Sequence, residues 1–113
     1  MKENLLMVIS TDNVESIQKF PLLYGSVALP REYWKKVHIM FWGASIKTLS
    51  EHKVLQQLVL DVAKTGVSFS SCIVCSDDYG VTSQLEALGV HCDHTGELLT
   101  EALQSERWSV LTV

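Results

Sequence analysis

Val37-His38-Ile39-Met40-Phe41-Trp42-Gly43-Ala44-Ser45 holds the fold in miniature. Six residues, apolar except for His38, run without a turn-former, and a small-residue turn follows. A strand with one wet face alternates apolar and polar residues, whereas a strand covered on both faces reads as a nearly unbroken apolar run. After the turn, Ile46, Leu49, Leu55, Leu58, Val59 and Val62 keep a helical period. Thr48 with Glu51 reads as a capping box, which predicts two helices with a break. Gly66 ends the second in the manner of a C′ glycine.

The same order of apolar run and helix holds on either side. Leu5-Leu6-Met7-Val8-Ile9 is an apolar run, and Ser10-Thr11-Asp12-Asn13 after it can cap a helix. That helix starts near Val14 and sets Ile17, Phe20, Tyr24 and Val27 on one face. Pro21 should kink or break it, Gly25 weakens it and Pro30 bounds it. Val67 to Val74 is a third run, followed by a helix with Thr82 as N-cap and Gly89 as stop. Val90 to Asp93 is a fourth run, a helix covers about Glu97 to Gln104, and Trp108 to Val113 is the last run.

The order is therefore β, α, β, α, β, α, β, α, β over residues 1–113, with no internal repeat and no linker. This predicts one domain, a three-layer α/β/α fold with a five-stranded parallel sheet. Ligands of such sheets bind beyond the carboxyl ends of the strands. The candidate loops are 10–13, 43–45, 72–81 and 94–97.

Composition narrows the function. The 113 residues are 47% hydrophobic with a mean hydropathy of +0.17, high for so small a chain. Apolar surface buried between subunits would account for this, so a homo-oligomer is expected. Nine basic and 13 acidic residues leave a net charge of −4, and the basic residues are scattered. Nucleic acid is not an expected partner. No apolar run approaches membrane-spanning length and Leu5–Ile9 is too short for a signal-peptide core, so a cytoplasmic protein with no membrane partner is expected.

The three cysteines, Cys72, Cys75 and Cys92, are an odd number, unlike a secreted disulfide framework. Cys72 and Cys75 lie in Cys72-Ile73-Val74-Cys75-Ser76-Asp77-Asp78-Tyr79-Gly80, where the third strand runs out. A helix start there favours a thiolate, while Asp77 and Asp78 oppose one. The plain alternative is that Cys72 is a buried strand residue and Cys75 a small helix-start residue.

This stretch resembles the DsrE/DsrF-like family of small sulfur-handling proteins. The likeness runs from Trp34 to the C-terminus, about two thirds of the chain, with further matching segments at Ile39–Lys47, Leu85–Val90, Gly96–Thr100 and Trp108–Thr112. It implies a five-stranded parallel sheet between helices and assembly as a homo-oligomer. In the sulfurtransferase branch, a cysteine eight residues before a glycine accepts sulfur as a persulfide, and Cys72 stands so to Gly80. The resemblance thus implies that Cys72 accepts and donates sulfur, with Cys75 resolving the persulfide or lining the pocket. It implies no dedicated cofactor, and a protein or small thiol as sulfur donor or acceptor. Pro21 and Gly25 depart from the family, whose first helix is usually continuous.

Gly43, Ala44, Ser45, Asp77 and Tyr79 are the remaining candidate pocket residues. Gly43 lets the backbone approach a ligand. Ser45 offers a helix cap first and pocket lining second. Lys47 would add positive charge, and Trp42 and Tyr79 would wall the site, against solvation and core packing as the plain readings. Cys92 and His94 alternate to one face of the fourth strand. With Cys72 and Cys75 they would make a Cys₃His zinc site, but the usual finger spacing is absent and no metal is expected. His38, His52 and His91 have no identifiable nucleophile partner. Two rival functions remain open: a non-catalytic oligomeric module binding a small anion or a protein, and a C-x-x-C dithiol redox protein.

Overall fold

A computed structural model describes residues 2–113. Five strands form one sheet, all parallel: β1 (Asn4–Ile9), β2 (Lys36–Phe41), β3 (Ser68–Cys72), β4 (His91–Asp93) and β5 (Trp108–Thr112), in the order β4-β3-β2-β1-β5. The apolar runs became these strands, with ends shifted by a residue or two. The expected fold is thus present, and its two helical layers are unequal.

The inequality follows from topology. The connections β1 to β2, β2 to β3 and β3 to β4 all step in one direction along the sheet. Right-handed crossovers then put all their helices on one face. The connection β4 to β5 steps back to the far edge and carries its helix, α7 (Thr95–Gln104), to the other face. Two apolar clusters record this. In the larger, Leu5, Met7, Ile9, Val37, Ile39 and Phe41 meet Ile17, Leu22, Ile46, Leu49, Leu55, Val59 and Leu85. In the smaller, Leu6, Val8 and Met40 meet Leu98, Leu99 and Ala102 of α7 alone.

The first helical stretch survives its proline. Asn13 caps α1 (Val14–Ile17), its Oδ1 accepting from the Ser16 N–H at 2.8 Å. A π-helical turn (Gln18–Leu22) then leads into α2 (Leu23–Ala28). Pro21 lies inside the wide turn, which re-spaces the hydrogen bonds around the donor that proline lacks. The expected break is therefore absent. Gly25 is buried where α2 meets the sheet: a Cβ there would stand 3.1 Å from Ile39 Cδ1. Its small size is a packing requirement at this crossing.

The expected break after β2 is present, for a different reason. The helices are α3 (Ala44–Glu51) and α4 (Lys53–Ala63). Thr48 is not a cap; its hydroxyl donates to Asp12 O at 3.0 Å, tying α3 to the loop after β1. His52 sits in extended backbone between the helices, and its Nδ1 lies 2.8 Å from Thr48 O. Gln56 Nε2 donates to Leu49 O and Ser50 O. These two side chains answer the carbonyls that the end of α3 leaves open.

The third run ends earlier than its composition suggests. β3 stops at Cys72, and Ile73–Tyr79 is helix α5, so most of the expected 72–81 loop is helical. Gly80 closes α5 in the left-handed region (φ 71°). The next helix, α6 (Thr82–Ala87), is capped by Val81, with Thr82 its first residue instead of its cap. The Thr82 hydroxyl bonds Asp77 at 2.5 Å and Ser76 at 2.7 Å, pinning α5 to α6.

His38 carries a pH signature. Its ring nitrogens lie 2.6 and 2.7 Å from the hydroxyls of Ser68 and Ser70 across β2 and β3. Burial, helped by the nearby His91, lowers its pKa from 6.5 to about 4. Between those values the unfolded chain binds a proton that the folded chain refuses. Stability should be full above about pH 6.5 and fall as the pH drops towards 4, by about 2–3 kcal/mol with partial exposure allowed for. Urea unfolding across this range checks it; His38→Gln should flatten the slope.

Candidate functional site

Each strand delivers its last residue to the same end of the sheet. Cys72 ends β3 and serves as the N-cap of α5, with extended backbone (φ −62°, ψ 117°). Only 7% of it is exposed. That small opening faces a groove of about 840 Å³ lined by Trp42 after β2, by Cys72 and Val74, and by α7 and the residue before it. Cys72 is therefore buried in the body of the protein but not sealed.

Cys75 approaches the Cys72 thiol from one turn along α5, and also meets the Gly43 N–H. Burial pushes the Cys75 thiol up; the Gly43 N–H pulls the other way, and Cys72 and Asp78 add to the rise. The helix start expected to favour a thiolate is outweighed at Cys75, which stays protonated near neutrality. Gly43 itself has φ 63° and ψ −137°, a backbone that disfavours any side chain.

The other expected residues have separate places. Ser45 is fully buried inside α3 and does not cap it. Its hydroxyl donates to Ile9 O at 2.5 Å and accepts from the Trp42 N–H at 3.2 Å, clamping the ends of β1 and β2. Ala44 and Lys47 are exposed on α3. Asp77 is spent on Thr82, and Tyr79 is 41% exposed at the end of α5. Ala44, Ser45, Asp77 and Tyr79 are outside the groove beside Cys72, while Trp42 forms part of its wall.

Cys92 and Cys72 do not converge. Cys92 pairs with Ser71, and Cys72 with Asp93. Strand alternation starts the two side chains on opposite faces, although Cys72, at the very end of its strand, also packs at the edge of the larger cluster that holds Cys92. Burial raises the Cys92 pKa, with the Ser76 hydroxyl opposing and Glu86 and Asp77 adding to the rise. His94 has left the strand to become the N-cap of α7. Among the described residues, no three His, Cys, Asp or Glu side chains gather to hold a metal ion. Also among them, no helix is long and apolar enough to cross a membrane.

Sequence reasoning named the 94–97 loop but not the wall it builds. Thr95, Gly96, Glu97, Thr100, Glu101 and Gln104 all line the groove. Their signal was the helix start directly after a strand, together with Glu97 and Glu101 spaced to share a helix face. Which face of the sheet that helix covers depends on the β4 to β5 crossover.

No family model matches the chain, and no curated protein matches it. Among solved structures, it is similar to BT1422, a conserved protein of unknown function from Bacteroides thetaiotaomicron. That likeness has a TM-score of 0.93 at 27% identity, over 98% of this chain and 95% of that one. It is also similar to the ychN protein from E. coli, with a TM-score of 0.73 at 17% identity over 100% of both chains. The second likeness speaks to the fold alone. The fold is DsrE-like.

Proposed function

We propose that the chain takes up sulfane sulfur on Cys72 as a persulfide and passes it to an acceptor thiol. One observation carries this reading: Cys72 stands at a strand end on the floor of an open groove, where parallel sheets hold their ligands. The DsrE-like fold is compatible with it. The Cys72 thiolate attacks the terminal sulfur of a persulfide donor, R–S–SH. The donor's S–S bond breaks, R–S⁻ leaves, and Cys72–S–SH forms. An acceptor thiolate then attacks that terminal sulfur, returns Cys72 to its thiolate and carries the sulfur away. Thr95 and α7 form the opposite wall, and Cys75 supplies a neutral neighbour at neutral pH. The homo-oligomer belongs to the same proposal; exposed Leu23 on α2 and Leu103 on α7, on opposite faces of the sheet, are separate apolar positions for further copies. Sedimentation would show a species larger than one chain.

The test is a two-stage exchange. Protein incubated with inorganic polysulfide and desalted should hold about one releasable sulfur per chain, by the one-thiol stoichiometry of the step. A small thiol should then discharge it. Protein that holds no sulfur after any persulfide or polysulfide donor would overturn the proposal.

A further inference from the structure

His38 has the nucleophile partner that its sequence neighbourhood does not show. His38 on β2 stands opposite Ser68 on β3, and Ser70 follows two residues on, so the three side chains share one face of the sheet. It is the face of α7, because Met40, two residues after His38, packs in the smaller cluster. The imidazole bridges the serines: Nδ1 lies 2.6 Å from Ser68 Oγ and Nε2 lies 2.7 Å from Ser70 Oγ. A neutral imidazole has one donor nitrogen and one acceptor. With Nε2–H donating to Ser70, Nδ1 accepts from the Ser68 O–H.

The two serines differ in access. Ser70 is 4% exposed, whereas Ser68 is exposed and, with His38, lines a cavity of about 410 Å³. This cavity lies at the amino ends of the strands, away from Cys72. Leu29, Val37, Leu98 and Trp108 give it apolar walls, and Lys35 and Lys36 give it positive charge. Lys35 pairs with Glu3 at 3.5 Å, and Lys36 makes no ion pair among the described residues. Burial holds the His38 ring neutral near neutrality, with His91 of β4 adding to the effect. A neutral ring can take a proton. An accessible hydroxyl on a base, a buried hydroxyl holding that base and an apolar cavity in front are the parts of a serine nucleophile.

We infer that Ser68 is a nucleophile towards esters of apolar acids, with His38 as its base and Ser70 as the positioning residue. Ser68 Oγ attacks the ester carbonyl carbon while its proton passes to His38 Nδ1, and Lys36 answers the charge on the carbonyl oxygen. The carbonyl reforms, the bond to the leaving alkoxide breaks, and His38 gives it the proton. Water then attacks the acyl group on Ser68 and loses a proton to His38. His38 returns that proton to Ser68 Oγ as the acid leaves.

An alkyl fluorophosphonate traps the first half: Ser68 Oγ bonds to phosphorus, fluoride leaves, and the proton goes to His38. The protein should gain one phosphonyl group, placed on Ser68 by fragmentation. The labelling rate should be level from about pH 8 to 6 and half-maximal near pH 4. His38→Gln should lower it about 100-fold, the lower end of base catalysis. Ser70→Ala should lower it about tenfold, the scale of one hydrogen bond, and Ser70→Thr, which keeps the hydroxyl, should not. With its thiols alkylated, the protein should hydrolyse p-nitrophenyl butyrate until the fluorophosphonate stops it. No adduct on Ser68, a rate climbing about tenfold per pH unit through neutrality as hydroxide alone would give, or a rate unmoved in His38→Gln would overturn the inference. Each result is independent of sulfur uptake, because Ser68 and Cys72 stand at opposite ends of β3.

Discussion

Phe41→Ala should be the most destabilising single truncation, lowering unfolding free energy by about 3–5 kcal/mol. Phe41 is fully buried at the end of β2, the central strand of the sheet. Its ring stacks with Phe69 of β3, centroids 6.3 Å apart and planes 18° apart. Truncation loses the ring's transfer energy and leaves a cavity between sheet and helices. The effect should reach the site, because Phe41 directly precedes Trp42, a wall of the groove. Equilibrium urea unfolding measures it; a loss below about 1 kcal/mol would mean that the cluster does not pack as described.

Cys72→Ser should abolish sulfur uptake, whereas Cys75→Ser should retain it. Serine keeps the size of the thiol but removes the nucleophile, so no partial rate is expected from Cys72→Ser. Cys75 is protonated near neutrality and is outside the groove lining, so its loss removes a neighbour and leaves the nucleophile. Initial uptake rates from polysulfide, with folding of each variant checked by thermal melts, distinguish the roles. Uptake lost equally in both variants would point to the dithiol pair as the working unit.

The fold was legible because covered parallel strands advertise themselves. Runs such as Leu5–Ile9 and Val37–Trp42 have no polar alternation, so both faces had to be buried. The end of β3 was not legible. Ile73 and Val74 are β-branched and apolar and continue the strand pattern, yet Val74 is 57% exposed on α5. Pairing decides that boundary: β2 ends at Phe41 opposite Ser71, and the last β4 partner, Asp93, lies opposite Cys72. Local composition does not contain this information.

The place of Cys72 at the ligand end of the sheet was legible, and the wall opposite it was opaque. Strand ends are ligand ends, so Cys72 was placed by topology, and the family likeness separated it from Cys75. Ser45 and Asp77 were read as pocket residues because small polar residues near helix starts serve capping and binding alike. Burial sent Ser45 to clamp two strands, and Asp77 took Thr82. The groove wall escaped because Thr95, Gly96, Glu97 and Glu101 look like an ordinary helix start and solvated face. Only the crossover from β4 to β5 sets that helix alone on the face that Cys72 shares.

The most direct measurement is the location of the added sulfur in the wild-type protein. No lysine or arginine lies between Lys64 and Arg107, so tryptic digestion leaves all three cysteines on one peptide. Fragmentation within that peptide, after loading and alkylation, assigns the extra atom to one residue. The account predicts one sulfur on Cys72, with Cys75 and Cys92 alkylated as plain thiols. Sulfur on Cys75 or Cys92, or a Cys72 that stays unmodified beside an accessible donor, would contradict it.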